Sequence, residues 1–246
     1  MLIRLAVKIV EDFINNLKTL VFSCDLAKAS IDTNSKIEEY SNMHKRGLLI
    51  VVSGPSGAGK GSICKGLIKK RDDVIVSVSS TTRSPRKGEE HGINYFFKTK
   101  EDFEDMIEDD EWLEYAQVYD NYYGTPKKFV IDKIQEGHNI LLEIDIQGAL
   151  QVRKKYPEGV FVFILPPNME ELKNRIIGRG SETAESLEKR FSSAYEEIDF
   201  IKKYDYYIIN DELDHAVDTL VSIIDAEKCK VVENIEDLIA EIKEDK

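Results

Sequence analysis

The sequence predicts an α/β fold in three layers: a central, mostly parallel sheet with helices on both faces, preceded by an N-terminal helical extension. Three observations carry this expectation. From residue 47 onward, short apolar runs alternate with helical periodicity, the pattern of successive βαβ units. The first run, Leu48-Leu49-Ile50-Val51-Val52, is unbroken, as in a strand buried on both faces. It leads directly into Gly54-Pro55-Ser56-Gly57-Ala58-Gly59-Lys60, the first seven positions of the phosphate-loop pattern G-x-x-x-x-G-K-[ST].

Taken in chain order, residues 1–22 set Leu2, Leu5, Ile9, Phe13, Leu17 and Leu20 at three- and four-residue steps. That spacing draws one apolar stripe on a helix. Arg4, Lys8, Glu11 and Asp12 interrupt any signal-peptide core. Residues 23–45 turn polar and read as a linker, so the chain divides into an appendage, 1–45, and a main domain, 46–246. Met43 offers an alternative start of translation. The appendage is read as a helix docked on its own domain or one without a role, against a dimer contact or a membrane-surface helix. A surface helix would carry more Lys and Arg on its polar face. Beyond the first run, strands are expected at Val74–Val78, Asn139–Ile146, Gly159–Leu165 and Tyr206–Ile209. Helices are expected over 61–71, 100–109, 126–136, 146–155, 168–178 and 184–203. No internal repeat is visible.

Composition narrows the function. The 246 residues carry 34 basic and 46 acidic side chains, a net charge of −12. This excludes the basic footprint of a general nucleic-acid binder but leaves room for a small anion in a local basic pocket. No segment approaches the roughly 20 apolar residues of a membrane span. Cys24, Cys64 and Cys229 are odd in number and far apart, which fits reduced thiols in the cytosol better than a disulfide framework. The four histidines are scattered, with neither zinc-ligand spacing nor a catalytic triad.

The chemistry begins at the phosphate loop, residues 53–62. Its glycines let backbone N–H groups converge on phosphate oxygens, the following helix adds positive potential, and Lys60 reaches the β- and γ-phosphates. Gly61 departs from the pattern, standing where Ser or Thr usually ligates magnesium. Ser62 comes one place later, where it would meet an α-phosphate, and Mg²⁺ would then be held by nucleotide oxygens and water. This favours a small-molecule phosphotransferase over a GTPase-like switch. Residues 79–89 form a loop in which Arg83 and Arg86 could clamp a second phosphate, with Tyr95 and Tyr123 as hydroxyl donors. The other reading is a solvated basic loop balanced by Glu89 and Glu90. Residues 167–193 balance five basic residues against five glutamates. They form either a salt-bridged helix face or, with Gly178 and Gly180 flanking Arg179, a corner that moves.

TTRSPRKGEEHGINYFF, EWLEYAQVYDNYYGTP and LLEIDIQG together resemble the guanylate kinase family, over about Lys45 to Ile224. The resemblance implies a GMP-binding insertion at about 79–130, a helical lid at about 167–193, and transfer of a phosphoryl group from ATP to GMP, and also to dGMP, with Mg²⁺. It assigns ATP to Gly54, Pro55, Ser56, Gly57, Ala58, Gly59, Lys60, Gly61 and Ser62, with Asn210 beside the adenine. It assigns GMP to Ser79, Arg83, Arg86, Glu89, Tyr95, Glu114, Tyr123, Thr125 and Asp145. The catalytic charges would be Lys60, Arg86, Arg179 and Arg190, the last two brought onto the transferring group by the lid. Glu114 would read the base, because guanine offers N1–H and N2–H₂ as adjacent donors to one carboxylate. Adenine would leave that carboxylate facing a lone pair, a difference of about 1–3 kcal/mol. Asp145 is expected to end a parallel strand at the edge where such sheets build their sites. A cytoplasmic monomer or homodimer is implied, with no nucleic-acid or membrane partner. Two alternatives stand beside this reading. One is a guanylate-kinase-like binding module without chemistry, which the intact Lys60 loop opposes. The other is a kinase for a different monophosphate, which Glu114 and its neighbours oppose.

Overall fold

The structure, a computed structural model, describes residues 47–118, 120–177 and 184–231, and positions 235, 239, 240 and 243 beyond; for 184–190 it describes the backbone alone. The expected N-terminal helix and linker lie outside the described residues, as do Gly178, Arg179 and Gly180.

In chain order the elements are β1 (Leu49–Ser53), α1 (Lys60–Lys70), β2 (Val74–Val76), β3 (Ser80–Thr81), β4 (Phe96–Phe97), α2 (Lys100–Glu108), β5 (Trp112–Val118) and β6 (Asn121–Pro126). There follow α3 (Lys127–Gln135), β7 (Asn139–Glu143), α4 (Ile146–Lys155), β8 (Val160–Leu165), α5 (Met169–Ile177), α6 (Ala184–Glu197), β9 (Tyr206–Ile209) and α7 (Leu213–Lys228). A 3₁₀ turn over Ile198–Lys203 joins α6 to β9.

The central sheet runs β2-β7-β1-β8-β9, with every pair parallel. Period-two alternation explains why β1 reads as a continuous apolar run. Ile50 and Val52 face one layer, where they pack with Ile63 and Leu67 of α1 and Val217, Leu220 and Ile224 of α7. Leu49 and Val51 face the other, with Val130 and Ile134 of α3 and Val152 of α4. The chain leaves central β1 for β2 at one edge, returns through β7 alongside β1, and then crosses to β8 on its other side. The loop after β1 therefore opens at a topological switch point, where open α/β sheets bind ligands.

The insertion between β2 and β7 differs from expectation. It is a second sheet, β4-β3-β6-β5, in which β3 pairs parallel with β4 while β6 runs antiparallel to both β3 and β5. Residues 79–89, read from the sequence as a loop, contribute β3. These strands escape detection because two are only two residues long and because buried positions hold Ser80, Thr81, Glu114 and Thr125, which break the apolar pattern. The sheet is anchored by stacked rings instead: Phe103 of α2 lies 4.0 Å from Trp112 and 5.1 Å from Tyr122, centroid to centroid.

Other elements differ from expectation too: the strand expected over Val74–Val78 ends at Val76. The strand expected to reach Ile146 stops at Glu143, because Asp145 caps α4 by accepting a 2.7 Å hydrogen bond from the Gly148 N–H. Asp145 thus begins a helix rather than ending a strand. The helix expected over 184–203 changes to 3₁₀ geometry after Glu197. Finally, α7 is absent from the expected elements, although Ala216, Val217, Leu220, Ile223 and Ile224 follow three- and four-residue steps and are buried.

At the opposite end of the sheet from the switch point, Asp73 ties four elements together. It accepts 2.8 Å hydrogen bonds from Arg71 Nε and Nη2, from Asn139 Nδ2 and from Lys228 Nζ. Chiefly through Arg71, these hold its carboxyl well below the usual carboxylate range. A lowered folded pKa stabilises the protein above the unfolded value and ceases to do so as pH falls through the folded one. Asp73→Asn is expected to destabilise by about 1 kcal/mol at pH 7. Urea unfolding should show that deficit shrinking as the pH drops below the ordinary carboxylate range.

Candidate functional site

The loop between β1 and α1 is shaped for an anion. Gly59 has φ 95°, and a Cβ there would sit 2.1 Å from Asn210 Nδ2, so no side chain fits. The start of α1 has no side-chain cap and no acidic residue in its first turn. By contrast, α2 and α4 are capped by Thr99 and Asp145. Uncapped amides at a helix N-terminus form a ready phosphate site. Lys60 Nζ folds back along the loop, donating to Gly54 O at 2.6 Å and Pro55 O at 3.2 Å.

Over the loop lies a cavity of about 290 Å³. The loop glycines, Ser56 and Lys60 line one side, and Glu143, Asp145, Ile146 and Glu197 the other. Pro55 and Ala58 are buried beneath it, and Ser62 is exposed on α1. Asn210 is buried under the loop, where its Nδ2 donates to Ala58 O at 2.8 Å. Arg175 Nη2 donates to Asn210 O at 3.0 Å while its Nε bonds Glu171 at 2.8 Å. The base of α5 is thereby fastened to the underside of the phosphate loop. A Cβ on Gly61 would stand 3.1 Å from Glu143 Oε1, so a carboxylate lies beside the position that usually carries a metal-binding hydroxyl. One turn on, burial first and Glu143 second push the Cys64 thiol up to about 12, which leaves it un-ionised and inert.

A second cavity, about 190 Å³, is lined by Val76, Ser77, Ser79, Asn94, Tyr95, Thr125, Leu142, Glu143 and Ile144. Glu143 therefore lines both cavities. Of the residues assigned to the acceptor nucleotide, Ser79, Tyr95 and Thr125 are in this wall. Arg83 Nη2 donates to both oxygens of Glu89 at 2.9 Å, and the Arg86 N–H donates to Glu89 Oε2 at 2.7 Å. Arg83 lies 5.6 Å from the Tyr95 ring centroid, and Tyr95 packs edge-on against Tyr123 at 6.2 Å. Hydrogen bonding to Arg83 first, then to the Arg86 amide, lowers the Glu89 carboxyl below its ordinary value; the same contact raises Arg83.

Glu114 sits on β5 directly opposite Thr125 of β6 and is 8% exposed. Thr125 Oγ1 donates to Glu114 Oε1 at 2.6 Å. Burial pushes the Glu114 carboxyl up, the Thr125 hydrogen bond opposes that, and the charge of Asp145 adds to it. A Cβ at Gly148 would come 3.1 Å from Glu114 Oε2 and 3.4 Å from Asp145 Oδ1. The glycine thus lets both carboxylates approach the start of α4. Arg190 lies on α6, where only the backbone is described, and Arg179 lies outside the described residues.

Of the charged or amide-bearing residues in the two cavity walls, Glu143, Asn94 and Glu197 escaped the sequence reading. Glu143 stands within LLEIDIQG at the carboxyl end of a strand, and that position alone could have marked it. No sequence pattern points to the other two.

A family model described as guanylate kinase matches residues 46–227. The guanylate kinase of Caldanaerobacter subterraneus subsp. tengcongensis is 59% identical over 204 residues, covering 83% of this chain and 98% of its own. That of Clostridium acetobutylicum is 60% identical over 204 residues, covering 83% and 97%. Among solved structures, guanylate kinase from Anaplasma phagocytophilum superposes with a TM-score of 0.58 at 33% identity, covering 75% of this chain and 88% of its own. A parallel sheet with an uncapped phosphate loop at its switch point, a second sheet presenting a buried carboxylate, and these matches across the main domain lead to one conclusion: the chain belongs to the guanylate kinase family.

Proposed function

We propose that this chain passes the γ-phosphoryl group of ATP directly, in line, to a phosphate oxygen of GMP or dGMP. As a guanylate kinase it phosphorylates GMP to GDP using ATP. The observation that carries the direct route is the pair of cavities sharing Glu143 as a wall, one floored by the phosphate loop and the other beside Ser79, Tyr95 and Thr125. A donor and an acceptor held there need no carrier group on the protein.

The GMP phosphate is already an anion near neutral pH, so no general base is needed, and catalysis reduces to positioning and charge neutralisation. In this reading the loop amides and Lys60 hold the donor phosphates. Arg83, Arg86, Tyr95 and Tyr123 hold the acceptor phosphate, with Glu89 keeping Arg83 in place. Glu114 and Thr125 read the guanine, with Ser79 and Asp145 at its remaining edges. Arg179 and Arg190 complete the charge on the transferring group, and Asn210 borders the adenine. The residues present also fit a magnesium ion. Gly61 supplies no hydroxyl, but the carboxylates of Glu143 and Asp145 line the phosphate cavity, and Mg²⁺ takes carboxylate oxygens together with water. Glu143, beside Gly61, would hold it together with nucleotide oxygens and water, and the ion would supply positive charge to offset the phosphates.

No helix among the described residues is long and apolar enough to cross a membrane. We read the chain as a cytoplasmic monomer or homodimer whose chemistry resides in 46–246. A protein beginning at Met43 is accordingly expected to keep its kcat and melting temperature; loss of either would give the appendage a role. The reaction itself is tested by ADP release with ATP and Mg²⁺, comparing GMP, dGMP, AMP, UMP and no acceptor. Turnover confined to the guanine nucleotides is expected. Comparable turnover with AMP or UMP would overturn the role given to Glu114.

A further inference from the structure

Parallel sheets are normally covered by helices on both faces, yet β9, an edge of the central sheet, is left bare on one. Ile208 points into the core, in the cluster that holds Val217 and Leu220 of α7. Tyr207 and Ile209 alternate with it and are 60% and 46% exposed. The strand reads Tyr-Tyr-Ile-Ile, without the charge or proline by which edge strands usually keep other strands away. On its inner side the Asp205 N–H donates to Phe161 O at 3.0 Å. Alternation along the strand then turns the amides and carbonyls of Tyr206 and Ile208 outward, and no strand among the described residues pairs with them. The other edge, β2, is not equivalent, because Val76 at its end forms part of the acceptor cavity wall.

Charge identifies the occupant. Before β9 the chain carries Lys202 and Lys203, and after it Asp211 and Glu212, all four exposed. Lys202 has Asp199 at 3.5 Å and Asp211 has His215 at 3.8 Å, exposed pairs that solvent weakens. Asp205, beside the lysines, is already paired with Arg153 at 2.8 Å. Positive at one end and negative at the other, the edge is complementary to itself turned end for end. A parallel copy would set like charges together.

We propose that β9 is a homodimer edge, on which a second copy of this chain adds its own β9 antiparallel about a two-fold axis at Tyr207. The two five-stranded sheets become one. Tyr206 of each copy then lies opposite Ile208 of the other, and each such pair exchanges two backbone hydrogen bonds. The two Tyr207 rings meet on the bare face with Ile209 diagonal to them. Lys202 and Lys203 of one copy face Glu212 and Asp211 of the other. Such an interface is isologous and closes at two copies. It does not depend on the reaction proposed above.

Sedimentation equilibrium of the full chain, from about 1 to about 500 µM, tests the proposal. A four-residue edge is a small contact, so a monomer–dimer equilibrium with a Kd on the order of 10–100 µM is expected. A wild-type chain that stays monomeric throughout overturns it. Two charge variants locate the contact. Lys202→Glu with Lys203→Glu makes both flanks acidic, and Asp211→Lys with Glu212→Lys makes both basic. Each alone is expected to weaken dimerisation by about tenfold or more, and an equimolar mixture of the two to restore it. Tyr207→Lys sets two ammonium groups at the axis and should weaken the dimer likewise; it serves if a charge variant fails to fold, as judged by its melting curve. Dimers that persist in the folded variants, or a mixture no more associated than its parts, overturn the proposal.

Discussion

Lys60→Ala is expected to lower kcat by about 10²–10³-fold or more, the range found when a single preorganised donor to developing charge is removed. The argument begins with where the amine sits. Lys60 is the first residue of α1, and its Nζ reaches back to two carbonyls of the loop it follows. That arrangement puts a fixed positive charge beside the amides of an uncapped helix start. In the transition state, charge spreads over the transferring phosphoryl oxygens, and nothing else on the phosphate loop can neutralise it. The fold should survive, because the core beneath the loop is built by Ile63, Leu67 and residues of β1 rather than by Lys60. Thermal melting alongside single-turnover kinetics checks both halves. A folded Lys60→Ala protein with near-normal turnover would remove the loop from the mechanism.

Glu114→Gln is expected to weaken GMP by about 1–3 kcal/mol, roughly 5- to 150-fold in KM, while the KM for ATP stays the same. The glutamine can still accept from Thr125, but its amide nitrogen now faces the guanine donors. The same substitution should raise the melting temperature of the free protein at neutral pH. Burial and the neighbouring Asp145 raise the Glu114 pKa, so its charged form is disfavoured in the folded state. A raised pKa contributes stability that is present below the unfolded value and lost as pH rises through the folded one. The variant's advantage should therefore appear as pH rises above the ordinary carboxylate range and vanish in acid. A site residue that destabilises its own fold until substrate supplies two donors is a stability–function trade-off. Melting curves from pH 4 to 8 for both proteins decide it, and a variant less stable at pH 7 would refute the account.

The two predictions differ in how readily their residues could be found. Lys60 is legible because phosphate binding needs contiguous residues of fixed type: glycines for close backbone approach, then a lysine on the next turn. Glu114 carries no such local signature, and only the family resemblance singled it out. Its character comes from lying opposite Thr125 across a strand pair and near Asp145 from a different element. The same division holds for the elements. The inner strands β1, β7 and β8 could be read because burial on both faces makes them almost uniformly apolar. The second sheet could not, because its buried positions are polar where they face the site.

Local sequence determined the alternation of strands and helices, the phosphate loop and its departure at Gly61, since each depends on side chains within a few residues of one another. Tertiary structure alone decided that Glu143 lines both cavities, that Asn210 and Arg175 fasten the loop from beneath, and that Glu197 stands among the phosphate-binding groups. Those placements join residues from 35 to 152 positions apart. The physical reason is that contact across such separations is set by strand order and helix packing, which no local pattern encodes.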